Sequence, residues 1–107
     1  MKEPRTKEQI FQILKKELPY LNEKYGVERM AIYGSFAKGN QTKKSDVDIL
    51  IQLMKPLGLE FVELAYHLEK ILKKKVDLAT FDTLKRSLEN PRYKHIASDI
   101  ERTLSYV

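Results

Sequence analysis

Apolar positions along the chain switch repeatedly between a helical and an extended period. Ile10, Ile13, Leu14 and Leu18, followed by Leu21 and Tyr25, recur at helical spacing. Thr6 and Gln9 fit a capping box at the start of this helix, and Gly26 fits its end. Pro19 has no N–H to donate and predicts a break or kink there. Glu28 to Tyr33 then reads as a strand, and 47–53 as a second, buried one. In the link between them, Gly34 would let the backbone turn or approach a ligand closely. Gly39 would accept a positive φ at the end of a short helical turn. Phe61, Leu64, Ala65, Leu68, Ile71 and Leu72 form the buried stripe of another helix, with Lys73 to Lys75 at its end, where positive charge suits the dipole. Val76 to Thr80 predicts a third strand beside the second. Asp82 or Thr80 caps a short helix over 83–89. Asn90 and Pro91 then open a last helix over 91–104, with Tyr93, Ile96, Ala97, Ile100 and Leu104 as its stripe. Residues 1–5 are expected to fray.

This alternation predicts an α+β, α/β-like fold, a small mixed β-sheet backed by helices. A length of 107 residues predicts one domain spanning 1–107. No cysteine is present, which excludes a disulfide framework, a thiolate metal site and a cysteine nucleophile. No run approaches transmembrane length and the start lacks the apolar core of a signal peptide, so the expectation is a cytoplasmic protein with no membrane partner. The net charge of +5 is unevenly placed. Residues 1–44 hold ten Lys/Arg against five Asp/Glu, and residues 45–107 hold ten of each. The excess lies before and around the Gly34 link and suits a nucleoside triphosphate or an acidic partner. For most single lysines, a solvated surface explains them as well.

The candidate chemistry sits in Met30-Ala-Ile-Tyr-Gly-Ser-Phe-Ala-Lys-Gly-Asn-Gln-Thr-Lys-Lys-Ser-Asp-Val-Asp-Ile-Leu-Ile-Gln52. On a strand, Asp46 and Asp48 point to one side and Val47 to the other. Two acids on one side repel unless a cation or proton lies between them. Mg²⁺ commonly takes one or two carboxylates together with substrate phosphates. Gly34 and Ser35 stand where a strand gives way to a turn or short helix, whose exposed N–H groups can hold a phosphate. Asp77 interrupts an apolar strand, where an unpartnered acid is costly to bury. A metal shared with Asp46 and Asp48 would relieve that cost.

Gly34-Ser35, ten residues, then Asp46-x-Asp48 resembles the signature of the minimal nucleotidyltransferases, in the DNA polymerase β-like superfamily. Tyr33-Gly-Ser-Phe-Ala-Lys-Gly39, Ser45-Asp-Val-Asp-Ile49 and Lys75-Val-Asp-Leu78 agree with it, and the resemblance covers nearly the whole chain. It implies that Asp46 and Asp48 bind two Mg²⁺ ions. Asp77 would complete the second metal site and help deprotonate the attacking hydroxyl. Gly34 and Ser35 would hold the phosphates of ATP. Metals about 3.5–4 Å apart can stabilise both the attacking and the leaving oxygen of an in-line displacement. Lys38 stands where related sequences usually have Arg; it keeps the charge and loses the planar fork. Small proteins of this family are commonly antitoxins paired with a HEPN-family toxin. The implied reaction is transfer of AMP from ATP to a tyrosine of that toxin. The acceptor would come with a separate partner, docked by the last helix or the Lys-rich loop.

Plainer readings stand beside these. His67 and His95 read as ordinary helix-face histidines. Tyr33 reads as a core residue that could border the nucleotide. Ser35 has no base at a recognisable spacing, so it reads as a phosphate contact and not a nucleophile. An antitoxin that neutralises its partner by masking it is the alternative to catalysis. Nucleic-acid binding has the basic charge in its favour and no recognised reading motif behind it. A homo- or hetero-oligomer is open, with no interface specified.

Overall fold

The computed structural model describes Pro4, residues 6–42 and residues 44–107. The frayed end expected over 1–5 lies, Pro4 apart, outside the described residues.

Helix α1 (Lys7–Tyr25) starts on the capping box: Thr6 Oγ1 accepts from Gln9 N at 3.2 Å, and Gln9 Oε1 accepts from Thr6 N at 3.1 Å. Gly26 closes it in the left-handed region, at φ 74°. Pro19 lies inside α1, which neither breaks nor ends there. Ile10 and Leu14 before it, and Leu21 and Tyr25 after it, are buried in one core. That packing on both sides outweighs the single hydrogen bond a proline removes.

Strand β1 (Val27–Tyr33) leads into the five-residue helix α2 (Gly34–Lys38), and strand β2 (Val47–Leu53) follows. Helix α3 (Glu60–Leu72) then crosses over to strand β3 (Val76–Thr80). A helical crossover is what a parallel pair requires, and β3 is indeed parallel to β2. Helix α4 (Phe81–Glu89) is capped by Thr80, not Asp82: Thr80 Oγ1 accepts from Thr83 N at 3.2 Å. Helix α5 covers Lys94–Thr103 and strand β4 Ser105–Tyr106.

The start of α5 differs from the expected 91. Asn90 Oδ1 accepts from Arg92 N at 2.9 Å, and Asn90 O accepts from Tyr93 N at 3.0 Å. Asn90 therefore closes a turn of its own before the helix begins. Strand β4 was not expected at all. It is two residues long, pairs antiparallel with Ala31 and Ile32 of β1, and leaves no periodicity to read.

The sheet order is β3-β2-β1-β4, with β1 antiparallel to both β2 and β4. Its two faces carry separate apolar clusters. One face sends Val27, Met30, Ile32, Val47, Ile49 and Ile51 into the main core, against Ile10, Leu14 and Leu21 of α1 and Leu64, Leu68 and Leu72 of α3. The other face carries a smaller cluster of Leu50, Leu84 of α4 and Ala97 of α5. Among the described residues no helix is long and apolar enough to cross a membrane.

Candidate active site

The second face of the sheet is where the acids lie. Antiparallel pairing sets Tyr33 opposite Asp48, and parallel pairing sets Asp48 opposite Asp77. Tyr33, Asp48 and Asp77 thus form a row across three strands. Asp46 precedes β2 by one residue and falls on the same side as Asp48 by alternation. The register that aligns the acids is held at its end by two contacts. Lys75 O accepts from Val47 N at 2.9 Å, and Glu69 Oε2 accepts from Val76 N at 3.1 Å. Sequence reasoning gave Glu69 no role, because a side chain that reaches past its own helix end leaves no local signal.

At the corner after β1, Gly34 has φ 72°. A Cβ built on it would lie 2.2 Å from Asp48 Oδ2. Glycine is needed there twice, for the left-handed backbone and for the carboxylate pressed against its Cα. Ser35, half-buried, is the second residue of α2, whose last carbonyl oxygens are capped just past its end: Phe36 O accepts from Gly39 N at 3.4 Å and Ser35 O from Asn40 N at 2.9 Å. Lys38 lies exposed in the last turn of α2. The loop onward is folded on itself, with Ser45 Oγ accepting from Thr42 N at 2.8 Å just before Asp46. Lys43 lies outside the described residues.

The acids act on one another. Half-buried Asp48 is pushed from 3.8 up to about 6, first by burial and then by the charges of Asp77 and Asp46. Tyr33 is pushed up to about 12, by burial and then by Asp77 and Asp48. Asp46 and Asp77 are exposed. The expectation that Asp77 is an acid forced into an apolar interior is therefore not met. It projects from an edge strand into solvent, and what ties it to the site is its register with Asp48.

Among the described residues no three His, Cys, Asp or Glu side chains are gathered closely enough to cage a metal unaided. The charged donors here, Asp46, Asp48 and Asp77, are all carboxylates, which suit hard cations such as Mg²⁺ that keep waters and substrate oxygens as further ligands. The raised Asp48 carboxyl marks the negative charge such an ion would neutralise, so the residues present fit it. His67 is elsewhere, on α3, with Nε2 3.7 Å from Oε2 of Glu17 on α1. His95 is exposed on α5. A cleft of about 770 Å³ lies at the opposite end of β2 and β3, lined by Leu53, Met54, Phe61, Phe81 and Lys85 among others. It holds none of Asp46, Asp48 and Asp77. A smaller hollow of about 180 Å³ borders the row through Tyr33.

Comparison with known proteins bears on this arrangement. Residues 9–106 match the nucleotidyltransferase domain family. A protein of Methanocaldococcus jannaschii, named as a candidate protein adenylyltransferase, is 41% identical over 106 residues, covering 96% of this chain and 99% of its own length. The protein adenylyltransferase MntA of Thermococcus cleftensis is 37% identical over 84 residues, 78% of this chain and 85% of its own. Among solved structures, a candidate minimal nucleotidyltransferase superposes with a TM-score of 0.67 at 24% identity, over 94% of this chain and 95% of that one, a likeness of fold. A toxin–antitoxin solved with AMP-PNP superposes with a TM-score of 0.52 at 26% identity, over 71% of this chain and 57% of that one.

Proposed function

The chain belongs to the nucleotidyltransferase domain family, and on that premise we propose that it is a Mg²⁺-dependent protein adenylyltransferase. Its donor is ATP, its acceptor a tyrosine hydroxyl of a partner HEPN-family toxin, and its role that of an antitoxin in the cytoplasm. The observation that carries the reading is the row itself: Asp48 paired with Asp77, with the bare Cα of Gly34 pressed against the Asp48 carboxylate. The relatives named as protein adenylyltransferases support the reaction class, and the toxin–antitoxin structure supports the kind of partner.

The roles follow from position. Asp46, Asp48 and Asp77 would hold Mg²⁺, which when bound supplies charge neutralisation at the phosphates and the reacting oxygens. Gly34 lets the corner of the chain lie directly against the Asp48 carboxylate, and the Ser35 hydroxyl and backbone would orient a phosphate there. Lys38 adds positive charge at the end of the same short helix. The acceptor oxygen bonds to the α-phosphorus, the bond to the bridging oxygen breaks, and pyrophosphate leaves. Asp77 takes the hydroxyl proton; its exposure on an edge strand lets a protein acceptor reach it. Positioning and electrostatics carry the catalysis, with no covalent enzyme intermediate.

A second reading, neutralisation by masking alone, draws on the loosely gathered acids and on Lys38 in place of Arg. Calorimetry with ATP, with and without Mg²⁺, on wild type and Asp48→Asn tests the site. Mass spectrometry of the co-expressed toxin tests the transfer. Mg²⁺-dependent ATP binding, lost in the variant, and a toxin gaining AMP on tyrosine support the enzyme. Toxin neutralised equally well by Asp46→Asn/Asp48→Asn, with no AMP added, establishes masking instead.

A further inference from the structure

The stripe predicted to bury α5 is covered only in part, with Ile100 and Leu104 half-buried. Ala97 is buried, but Tyr93 is 47% and Ile96 64% exposed. These residues stand at the hollow of about 180 Å³, whose walls include Tyr33, Leu50, Ala79, Leu84 and Ile100. Protein interiors rarely keep voids larger than a water molecule. An apolar cavity of about 150 Å³ is enough to take a benzene ring. The hollow is thus about the size of one six-membered aromatic ring.

Its position gives it a purpose. Leu50 and Ala79 follow Asp48 and Asp77 by two residues on their strands, so hollow and acids share one face of the sheet. Tyr33 belongs to both, standing opposite Asp48 and lining the hollow. Helix α5 also touches α2, which begins at Gly34. A molecule seated in the hollow is therefore continuous with whatever reacts at the carboxylates.

We infer that this hollow is an acceptor subsite, taking an aromatic side chain of the protein that receives the nucleotidyl group. The occupant's identity rests on the transferase reading above. The chemistry of the lining separates this occupant from the other ring in the reaction, adenine. Adenine carries nitrogens that need hydrogen-bond partners when they leave water. Besides Tyr33 and Tyr93, the hydroxyls in the lining are Thr83, whose Oγ1 is already paired with Thr80 Oγ1 at 3.1 Å, and Ser87. A phenyl or phenol ring asks for little more than apolar walls, which Leu50, Ala79, Leu84, Ile96, Ala97 and Ile100 provide. Partner binding would also complete the burial of Tyr93 and Ile96.

The test needs neither ATP nor catalysis. Methyl-labelled protein is titrated with p-cresol, an analogue of the tyrosine side chain, and separately with adenosine, while NMR follows Leu50, Leu84, Ile96 and Ile100. The expected result is saturable shifts at these methyls with p-cresol and none with adenosine. Ile96→Glu, at an exposed position that leaves folding intact, is expected to weaken the p-cresol response by roughly tenfold by placing a charge at the apolar mouth. Adenosine shifting these methyls would make the hollow a base subsite and overturn the inference. So would p-cresol that leaves them unmoved, or that acts equally on Leu59 and Val62 of the exposed α3 side. Failure here leaves the transferase reading standing, because that reading is decided by ATP binding and AMP transfer.

Discussion

Asp48→Asn should make the metal-free protein more stable while abolishing its Mg²⁺-dependent nucleotide binding. Asp48 is half-buried. Burial, then Asp77 and Asp46, raise its pKa from 3.8 to about 6. The folded state therefore binds this proton more tightly than the unfolded chain does. The stability this contributes is fully present below about pH 4 and is lost as pH rises through about 6. At neutral pH the ionised carboxylate weighs against folding. At about 1.36 kcal/mol per pKa unit, the shift sets a ceiling of about 3 kcal/mol. The side chain is partly in water, and screening there reduces the figure to about 1 kcal/mol. Asparagine keeps the shape and removes the charge, so the variant should melt about 4 °C higher than wild type near neutral pH. The gap should close as the pH approaches about 4, where wild-type Asp48 is protonated. Thermal unfolding followed by circular dichroism across this range, in chelator, measures it. A variant that melts no higher than wild type at neutral pH, or a gap that ignores pH, refutes the reasoning.

Three further substitutions probe separate parts of the argument. Gly34→Ala forces a side chain to φ 72° and onto Asp48 Oδ2; it should cost about 1–3 kcal/mol and eliminate ATP binding, read by thermal unfolding and calorimetry. Thr6→Ala removes the capping box of α1 and should lower stability by about 1 kcal/mol with ATP affinity unchanged, a control for stability loss far from the site. Lys38→Arg restores a planar fork on α2 and should tighten ATP binding roughly twofold to fivefold in calorimetry; an unchanged affinity would show that position 38 supplies charge alone.

The elements were legible where burial repeats over several turns or strand residues, as in α1, α3, β1 and β2. The acids were legible because Asp46 and Asp48 share a side by strand alternation alone. Tyr33 and Glu69 were harder, because their places depend on pairing and reach that cross from one element to another. The misreadings have local causes. Pro19 was overruled by packing on both sides of it. Asn90 spent its side chain on a turn, and β4 borrows its strand character from β1. The stripe of α5 was read correctly as apolar, but apolarity does not say whether the covering surface belongs to the same chain.

The edge position of β3 links the fold to the reaction it can carry out. In the order β3-β2-β1-β4, Asp48 is on an inner strand and Asp77 on an outer one. The inner acid is half-buried, its charge held against Gly34 and two neighbouring carboxylates. The outer acid is exposed and free to meet a second protein. Exchanging the two strands would bury the acid that faces the acceptor in the proposed reaction. An unpaired edge usually invites unwanted strand pairing, and a charge on it discourages that. Asp77 thus protects the edge of a small sheet while remaining accessible to an acceptor. The row from Tyr33 through Asp48 to Asp77 runs out to that edge.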